Sequence, residues 1–392
     1  MKGVTQFDGD PAMIVARIAA LVAGVALVLF TVASAIKTVV VPRAISSLIT
    51  RKLFRVMRLV FNLLAHPQRD YAHRDRILAY FGPVTLIMLP GVWVLLTAVG
   101  FTGLVWGLGG VSLRTAFLTS GSSILTLGVV FQKDLPHAGV TFVEAVIGLG
   151  LVSLMISYLP TMYTSYSRRE QLVALLEVRA GLPPSPAELL ARYHRIGWLD
   201  NISEELLPPW EIWFADIEES HSSHPALVYF RSPHSERNWV TAAGIVLDTA
   251  ALLLAVVDVP WSPRAALVIR SGSLSLRRIS GTFRIPFDPD PRPDDPITIS
   301  RREFDNLCVE LLAADVPLKA DRDQAWKDFA GWRVNYDPVL VGLARLVVAP
   351  PARWSSDRPM ALPGNGNGND DAGNTNQKRR QVSELFRHDR PR

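Results

Sequence analysis

The chain has 392 residues, 49% of them hydrophobic and 20% charged, with 41 Lys and Arg against 36 Asp and Glu for a formal charge of +5. This apolar fraction is high for a soluble protein of this size and points to membrane segments. The single cysteine, Cys308, excludes an intrachain disulfide framework and fits a reducing side for its surroundings.

The apolar excess lies in three stretches of the first 166 residues. The first, Ile18 to Ile36, has neither charge nor proline. With Lys2 before it and Ala33 and Ala35 near its end, it resembles a cleavable secretory leader. Asp8 and Asp10 are unusual in such a leader, and cleavage would put the arginine-rich stretch that follows outside. A retained first span is therefore expected.

That stretch carries Arg43, Arg51, Lys52, Arg55, Arg58, Arg69, Arg74 and Arg76, opposed only by Asp70 and Asp75. The positive-inside rule places it in the cytoplasm, with the N-terminus outside and everything after Ser167 inside. So local an excess argues for a membrane surface rather than nucleic acid as the reason for the net charge. Between Val39 and Pro67 the periodicity is helical. Arg51, Arg55 and Arg58, with Lys52, share one face, and Leu48, Ile49, Leu53, Met57, Val60 and Leu64 fill the rest. A basic amphipathic helix in the cytoplasmic interface is expected, the other reading being a helix packed on a soluble domain.

No charge falls between Arg76 and Arg114, and this second span carries Pro83, Pro90, Trp93 and Trp106. Gly107, Gly109 and Gly110 break it. "VSLRTAFLTSGSSILTLGVV" follows, too short to cross alone, and from Leu135 to Ser167 a third span has only His137 and Glu144 as titratable groups apart from tyrosines.

Beyond Ser167 the pattern changes to charged helices. "SPAELLARYHRIG" opens with a serine cap and a first-turn proline. Further helices are expected in "ISEELLPPWEIWFADIEESHSS", "NWVTAAGIVLDTAALLLAVV", "SRREFDNLCVELLAAD" and "DRDQAWKDFAGWRVNYDPVLVGLARLVV". Val240 to Val257 is nearly a fourth span, but Asp248 in its middle argues for the buried central helix of a soluble domain. "FRIPFDPDPRPDDPIT" reads as a loop, and "LPGNGNGNDDAGNTNQKRRQ" as disorder.

The segment between the second and third spans suggests a pore. A half-helix that enters the bilayer and returns as extended backbone survives only where protein or water covers it. A dehydrated cation needs rings of oxygen ligands, from carbonyls and threonine hydroxyls. Carbonyls of consecutive residues reach one axis only if some residues take positive φ, which suits glycine and not valine.

Ser122, Ser123, Thr126, Leu127 and Gly128, with "FLTSGSSILT" before them and "FVEAVIGLGLVSLMISYLPTMYTSYSRRE" after, resemble the pore unit of the potassium channel family. The likeness is to the two-transmembrane prokaryotic members, covers about residues 74 to 180, and has "TLG" where that family has Thr-Val-Gly. It implies an outer helix, pore helix, filter and inner helix. The filter would be Thr126, Leu127, Gly128, Val129 and Val130, supported by Ser122, Ser123 and Glu144, with a gating hinge at Gly148 and Gly150. It also implies a homotetramer around a permeant monovalent cation, potassium in that family. Val129, Val130 and Phe131 depart from the family, whose aromatic, second glycine and aspartate are missing here. A shortened filter above Gly128 is the consequence, and Asp134 comes too late to stand in for the aspartate.

Glu144 has two readings: a ring of charge or a partner of Ser122, Ser123 or Thr119 behind the filter, or else a headgroup-level residue. His221 and His224, three apart near Glu218, Glu219 and His234, are the one candidate metal pair, against the alternative of polar groups at a helix end. Trp210, Trp213, Trp326 and Trp332 read as core. With no phosphate-cradling loop and no nucleophile elbow, neither a nucleotide-regulated domain nor an enzyme is expected.

The expectation is an all-α membrane protein with three transmembrane helices, a re-entrant pore loop and a mostly α cytoplasmic domain, in the plasma membrane. Its parts are 1–42 with the first span, 43–73 as the interfacial helix, 74–167 as the pore domain, 168–350 as the helical domain and 351–392 as a disordered tail. The function expected is a cation channel; the rival reading is a non-conducting membrane scaffold that keeps the same fold.

Overall fold

The computed structural model describes residues 11–41, 47–66, 70–130 and 132–358. Among these, helices make up nearly all regular structure, and the one β pairing is an isolated antiparallel bridge between Val257 and Leu318. The chain divides into two compact units. One is the part up to Arg69 with Ile77–Thr164, and the other is Asp70–Arg76 with the chain from Ser165 onward.

The first unit contains α1 (Pro11–Val39), α2 (Leu48–Leu64), the end of α3 (Tyr71–Leu78), α4 (Phe81–Gly107), α5 (Leu113–Ile124) and α6 (Leu135–Ala180) up to Thr164. Three stretches are long and apolar enough to cross a membrane: α1, Tyr71–Gly107 and α6. These are the three spans expected from the charge-free runs.

α1 and α4 meet along a seam of small residues. A Cβ on Gly24 would lie 2.5 Å from the carbonyl oxygen of Gly100, and one on Gly107 would lie 2.8 Å from that of Arg17. Backbones so close need glycine, and where lipid tails remove the hydrophobic drive between helices, such contact gives the dispersion energy that replaces it. Hydroxyls tie α2 into the same pair. Ser47 caps α2 by accepting from Thr50 N at 3.2 Å, its Oγ lies 2.7 Å from Ser34 Oγ on α1, and Trp93 Nε1 on α4 donates to Ser34 Oγ at 3.2 Å. Trp93 is therefore a packing residue.

The second unit holds α7 (Pro186–Arg195), α8 (Ile202–Glu205), α9 (Leu207–Ser223), α10 (Trp239–Ala255), α11 (Pro263–Thr282), α12 (Arg301–Ala313), α13 (Arg322–Arg333) and α14 (Asp337–Leu346). α10 is its centre. All of its residues are buried, and it contacts α7, α9, α11, α13 and α14. Asp248 on α10 accepts from Arg333 Nη1 at 2.5 Å and from Tyr336 Oη at 2.9 Å, and Arg333 Nε also donates to Asp337 at 2.7 Å. A carboxylate so paired belongs in a protein core, so the Val240–Val257 stretch is the central helix of this unit and not a fourth crossing.

Two features of this unit differ from the sequence reading. α11, built on the serine- and glycine-rich "RSGSLSLRRIS", was not anticipated; burial of Ala265, Val268, Ile269, Leu276 and Ile279 outweighs the modest helix propensity of its serines. Residues 351–358, expected in the disordered tail, pack on this unit instead. Trp354 is buried in the main core against Phe329, at 5.6 Å between ring centroids, and Arg358 bonds Glu303, holding that carboxyl well below the usual carboxylate range. The low-complexity stretch itself lies outside the described residues.

The tryptophans read as core are in or against it. Trp210 and Trp213 make an edge contact at 4.8 Å, and Trp326 packs on Phe304 at 5.2 Å. Tyr71 and Asp75, from the basic stretch, join this unit through Arg231, which bonds Asp75 and the carbonyls of Val347 and Val348.

Candidate functional site

α5 is a short helix started by Ser112, whose hydroxyl accepts from Thr115 N at 3.2 Å. Its end seats against α6. Ser123 Oγ donates to the carbonyl of Thr141 at 2.5 Å, and the carbonyl of Ile124 comes so close to Gly148 that a Cβ there would lie 2.3 Å from its oxygen. Gly148, expected at a hinge, is thus the seat for the end of α5, within an unbroken helix. Gly150 faces open space.

The chain leaves α5 through a Schellman-type turn. Leu127 N donates to the carbonyl of Ser122 at 2.8 Å and Thr126 N to that of Ser123 at 2.9 Å. The left-handed position of this turn, usually glycine, is Thr126 at φ 55°, and Gly128 follows at φ 67°. Ser122 Oγ then accepts from both Val129 N and Val130 N, at 2.9 and 3.0 Å. The carbonyl and hydroxyl of Ser122 thus bind three amides of the turn. No positive φ occurs at Val129 or Val130, so the alternation that would carry a filter onward stops at Gly128. Phe131 lies outside the described residues.

Thr126, Leu127, Gly128 and Val129 are exposed, Leu127 at 62% and Val129 at 79%. The returning chain is pinned elsewhere. Gln132 Nε2 donates to Thr119 Oγ1 at 3.3 Å, Asp134 pairs with His137 Nδ1, and His137 Nε2 lies 3.1 Å from the Val105 carbonyl. Hydrogen bonding from His137 holds the Asp134 carboxyl below its ordinary range.

Glu144 is fully buried between α6, α5 and α4. Its partner is Ser120, at 2.5 Å, and none of the three residues named from the sequence. Ser120 Oγ also lies 2.9 Å from the carbonyl of Ala98, and one hydroxyl proton cannot serve both acceptors at once. Glu144 Oε2 is buried without a hydrogen-bond partner. Such spare polar capacity inside an apolar helix is uncommon in a purely structural position.

α6 carries two opposed stripes, the open one at alternating spacings of three and four and the buried one likewise but for a gap of seven after Leu151. His137, Thr141, Glu144, Gly148, Leu151, Tyr158 and Met162 are buried, whereas Val143, Val146, Gly150, Ser153, Ser157, Pro160 and Thr164 are exposed. The open stripe changes from apolar to small and hydroxylic at Gly150. No sequence motif marks it; the period of 3.5 residues was the available signal.

His221 and His224 lie at the end of α9. His221 Nε2 sits 3.1 Å from Arg169 Nη1, which also donates to the Leu227 carbonyl. Burial and the neighbouring Arg169 push the His221 imidazole well below its ordinary value, so it is neutral, and the guanidinium repels any cation from that nitrogen. No group of three or more His, Cys, Asp or Glu side chains is placed to hold a metal among the described residues. No protein-family model, curated protein or solved structure matches this chain.

Proposed function

We propose that the chain is one subunit of a homotetrameric membrane channel for monovalent cations, with the α5 turn from Thr126 to Gly128 as a short filter and the open stripe of α6 as the wall of the pathway below it. The observation that carries this reading is the stripe itself. Gly150, Ser153, Ser157 and Thr164 are exposed on a helix long and apolar enough to span a bilayer. Lipid tails gain nothing from glycine and hydroxyl groups, whereas copies of the same helix, or water between them, do. One chain supplies one turn, and a ring of oxygen ligands needs several. The basic excess between the first two spans supports a cytoplasmic position for α2 and the second unit.

A non-conducting scaffold is the second reading, and a specific observation favours it. The turn presents the side chains of Leu127 and Val129 to its surroundings, and the amides of Val129 and Val130 are tied back to Ser122.

The deciding experiment is current through planar bilayers containing the purified full-length chain, alongside its oligomeric mass in detergent. A tetramer that passes monovalent cations, and loses them on Gly128→Ala, supports the channel. A tetramer without current supports the scaffold, and a monomer removes the channel.

A further inference from the structure

Around α2 the side chains fall into three sectors. At 3.6 residues per turn, Ile49, Met57 and Phe61 form the buried sector, with Phe61 and Phe54 meeting Phe81 of α4 at ring-centroid distances of 5.7 and 6.0 Å. Next comes an apolar sector that no described residue covers: Leu48, Val56, Leu59 and Leu63, exposed at 52%, 55%, 60% and 80%. The last sector is basic, with Arg51, Arg55 and Arg58; Lys52 lies near the helix start among the exposed apolar residues.

The order of these sectors has a chemical meaning. An amphipathic helix of two sectors, packed on protein by its apolar side, would have no apolar residues left over. Here a second apolar sector lies between the packed one and the charged one. No ion pair or hydrogen bond joins the side chains of Arg51, Lys52 or Arg55 to a described residue. Asp75, one of two acidic residues in the whole stretch, is taken by Arg231. Eight residues separate α2 from the end of α1, and α2 packs on α4, whose outward residues Ile87, Met88 and Leu95 are themselves apolar and exposed. The surroundings that satisfy both open sectors together are acyl chains on one side and negative headgroups on the other.

We propose that α2 docks on the anionic leaflet of the bilayer, with Leu48, Val56, Leu59 and Leu63 at the acyl boundary and Arg51, Lys52 and Arg55 on the phosphates. The hydroxyl contacts of Ser47 with Ser34, and through it Trp93, couple this docked helix to α1 and α4, so the lipid charge acts on the transmembrane bundle. The inference rests on α1 and α4 spanning a membrane and is independent of ion conduction.

The test uses the full-length chain in nanodiscs of neutral lipid, with and without an anionic phosphatidylglycerol fraction. Spin labels are placed at Leu59→Cys, Leu63→Cys and Arg55→Cys on a Cys308→Ser background. Labels at 59 and 63 are expected to be open to oxygen and closed to a water-soluble nickel relaxant, with the reverse at 55. Equal access of nickel at all three positions would put the helix in water and overturn the proposal. Screening of 59 and 63 from both reagents would show a second copy or another protein on that face and overturn it equally.

For the charge, the anionic fraction is expected to raise the melting temperature by several degrees, and R51Q/K52Q/R55Q to abolish most of that rise while leaving the value in neutral lipid unchanged. An equal rise in the triple variant, or the same rise from inorganic phosphate added to neutral discs, would overturn the anionic-leaflet assignment. If the triple variant fails to fold, the loss of the rise at high salt in the unaltered chain reads the same quantity.

Discussion

α10 and the apolar part of α6 are both strongly apolar helices with one internal carboxylate, but they are completed differently. Every residue of α10 is buried within the chain, and Asp248 has an arginine and a tyrosine on its oxygens. α6 is buried on one stripe only, and Glu144 has one oxygen bonded to Ser120 and one without a partner. A helix finished by its own chain is architecture. One left open along a regular stripe, with polar capacity in reserve, is built for contacts that a single chain does not supply.

The carboxylates give the largest expected contrast. Asp248→Ala leaves Arg333 buried with half its pairing and should cost about 3–5 kcal/mol, enough to melt the second unit alone. Glu144→Ala removes one hydrogen bond, after which Ser120 still donates to Ala98, and should cost no more than about 1–2 kcal/mol. Urea unfolding in detergent, followed through tryptophan fluorescence, compares them. Equal losses would break the distinction between a finished helix and an open one.

The glycines of α6 sharpen the same comparison within one helix. Gly148→Ala forces a Cβ onto the Ile124 carbonyl and should cost about 1–3 kcal/mol by overpacking. Gly150→Ala meets nothing in the chain and should be neutral or gain up to about 1 kcal/mol of helix propensity in the monomer. Should Gly150→Ala instead lower the yield of oligomer, the open stripe is a contact between copies. Thermal melting and oligomer mass of the two variants read these outcomes separately.

Acid tests the finished unit from another side. His221 is held neutral by burial and Arg169, so its folded pKa lies below its unfolded one. As pH falls through about 6.5, the unfolded chain takes up a proton that the folded one refuses, and stability drops by about 1.4 kcal/mol per pH unit for each such group until the folded pKa is reached. His224, lowered mainly by burial, adds to the slope over a shorter range. His221→Gln keeps an acceptor for Arg169 and should remove about one proton from the slope between pH 6.5 and 5.5. An unchanged slope would mean that His221 does not contribute to the acid sensitivity of this unit.

The three helices long and apolar enough to cross a membrane were legible because charge-free runs of that length have few other uses, and those of the second unit because serine, asparagine and aspartate caps precede most of them. α11 was equally marked, since "SPRAAL" opens as "SPAELL" does, but its serines and glycines hid the apolar face that burial reveals. At the candidate site the residue types were readable and their roles less so. Gly148 looks like a hinge until the carbonyl that fills its missing side chain is seen, and Ser120 is one of many serines until Glu144 is found beside it. Such roles belong to pairs of segments, and a linear pattern holds only half of each pair.

Thr126 gives the smallest effect and the most pointed one. A β-branched residue at φ 55° costs about 1–2 kcal/mol relative to a relaxed backbone, and the helix end around it is of the kind that glycine usually completes. Thr126→Gly should therefore raise stability slightly, by about 1 kcal/mol or less after the greater backbone entropy of glycine is counted. Thr126→Val should keep the strain and lose the hydroxyl. If the turn is part of a cation pathway, both variants lose or alter the current although only one of them is more stable, because the oxygen and not the backbone is what they share in losing. Current intact in the stabilised glycine variant would show that threonine stands there to no purpose of conduction, and the case for a filter at this turn would go with it.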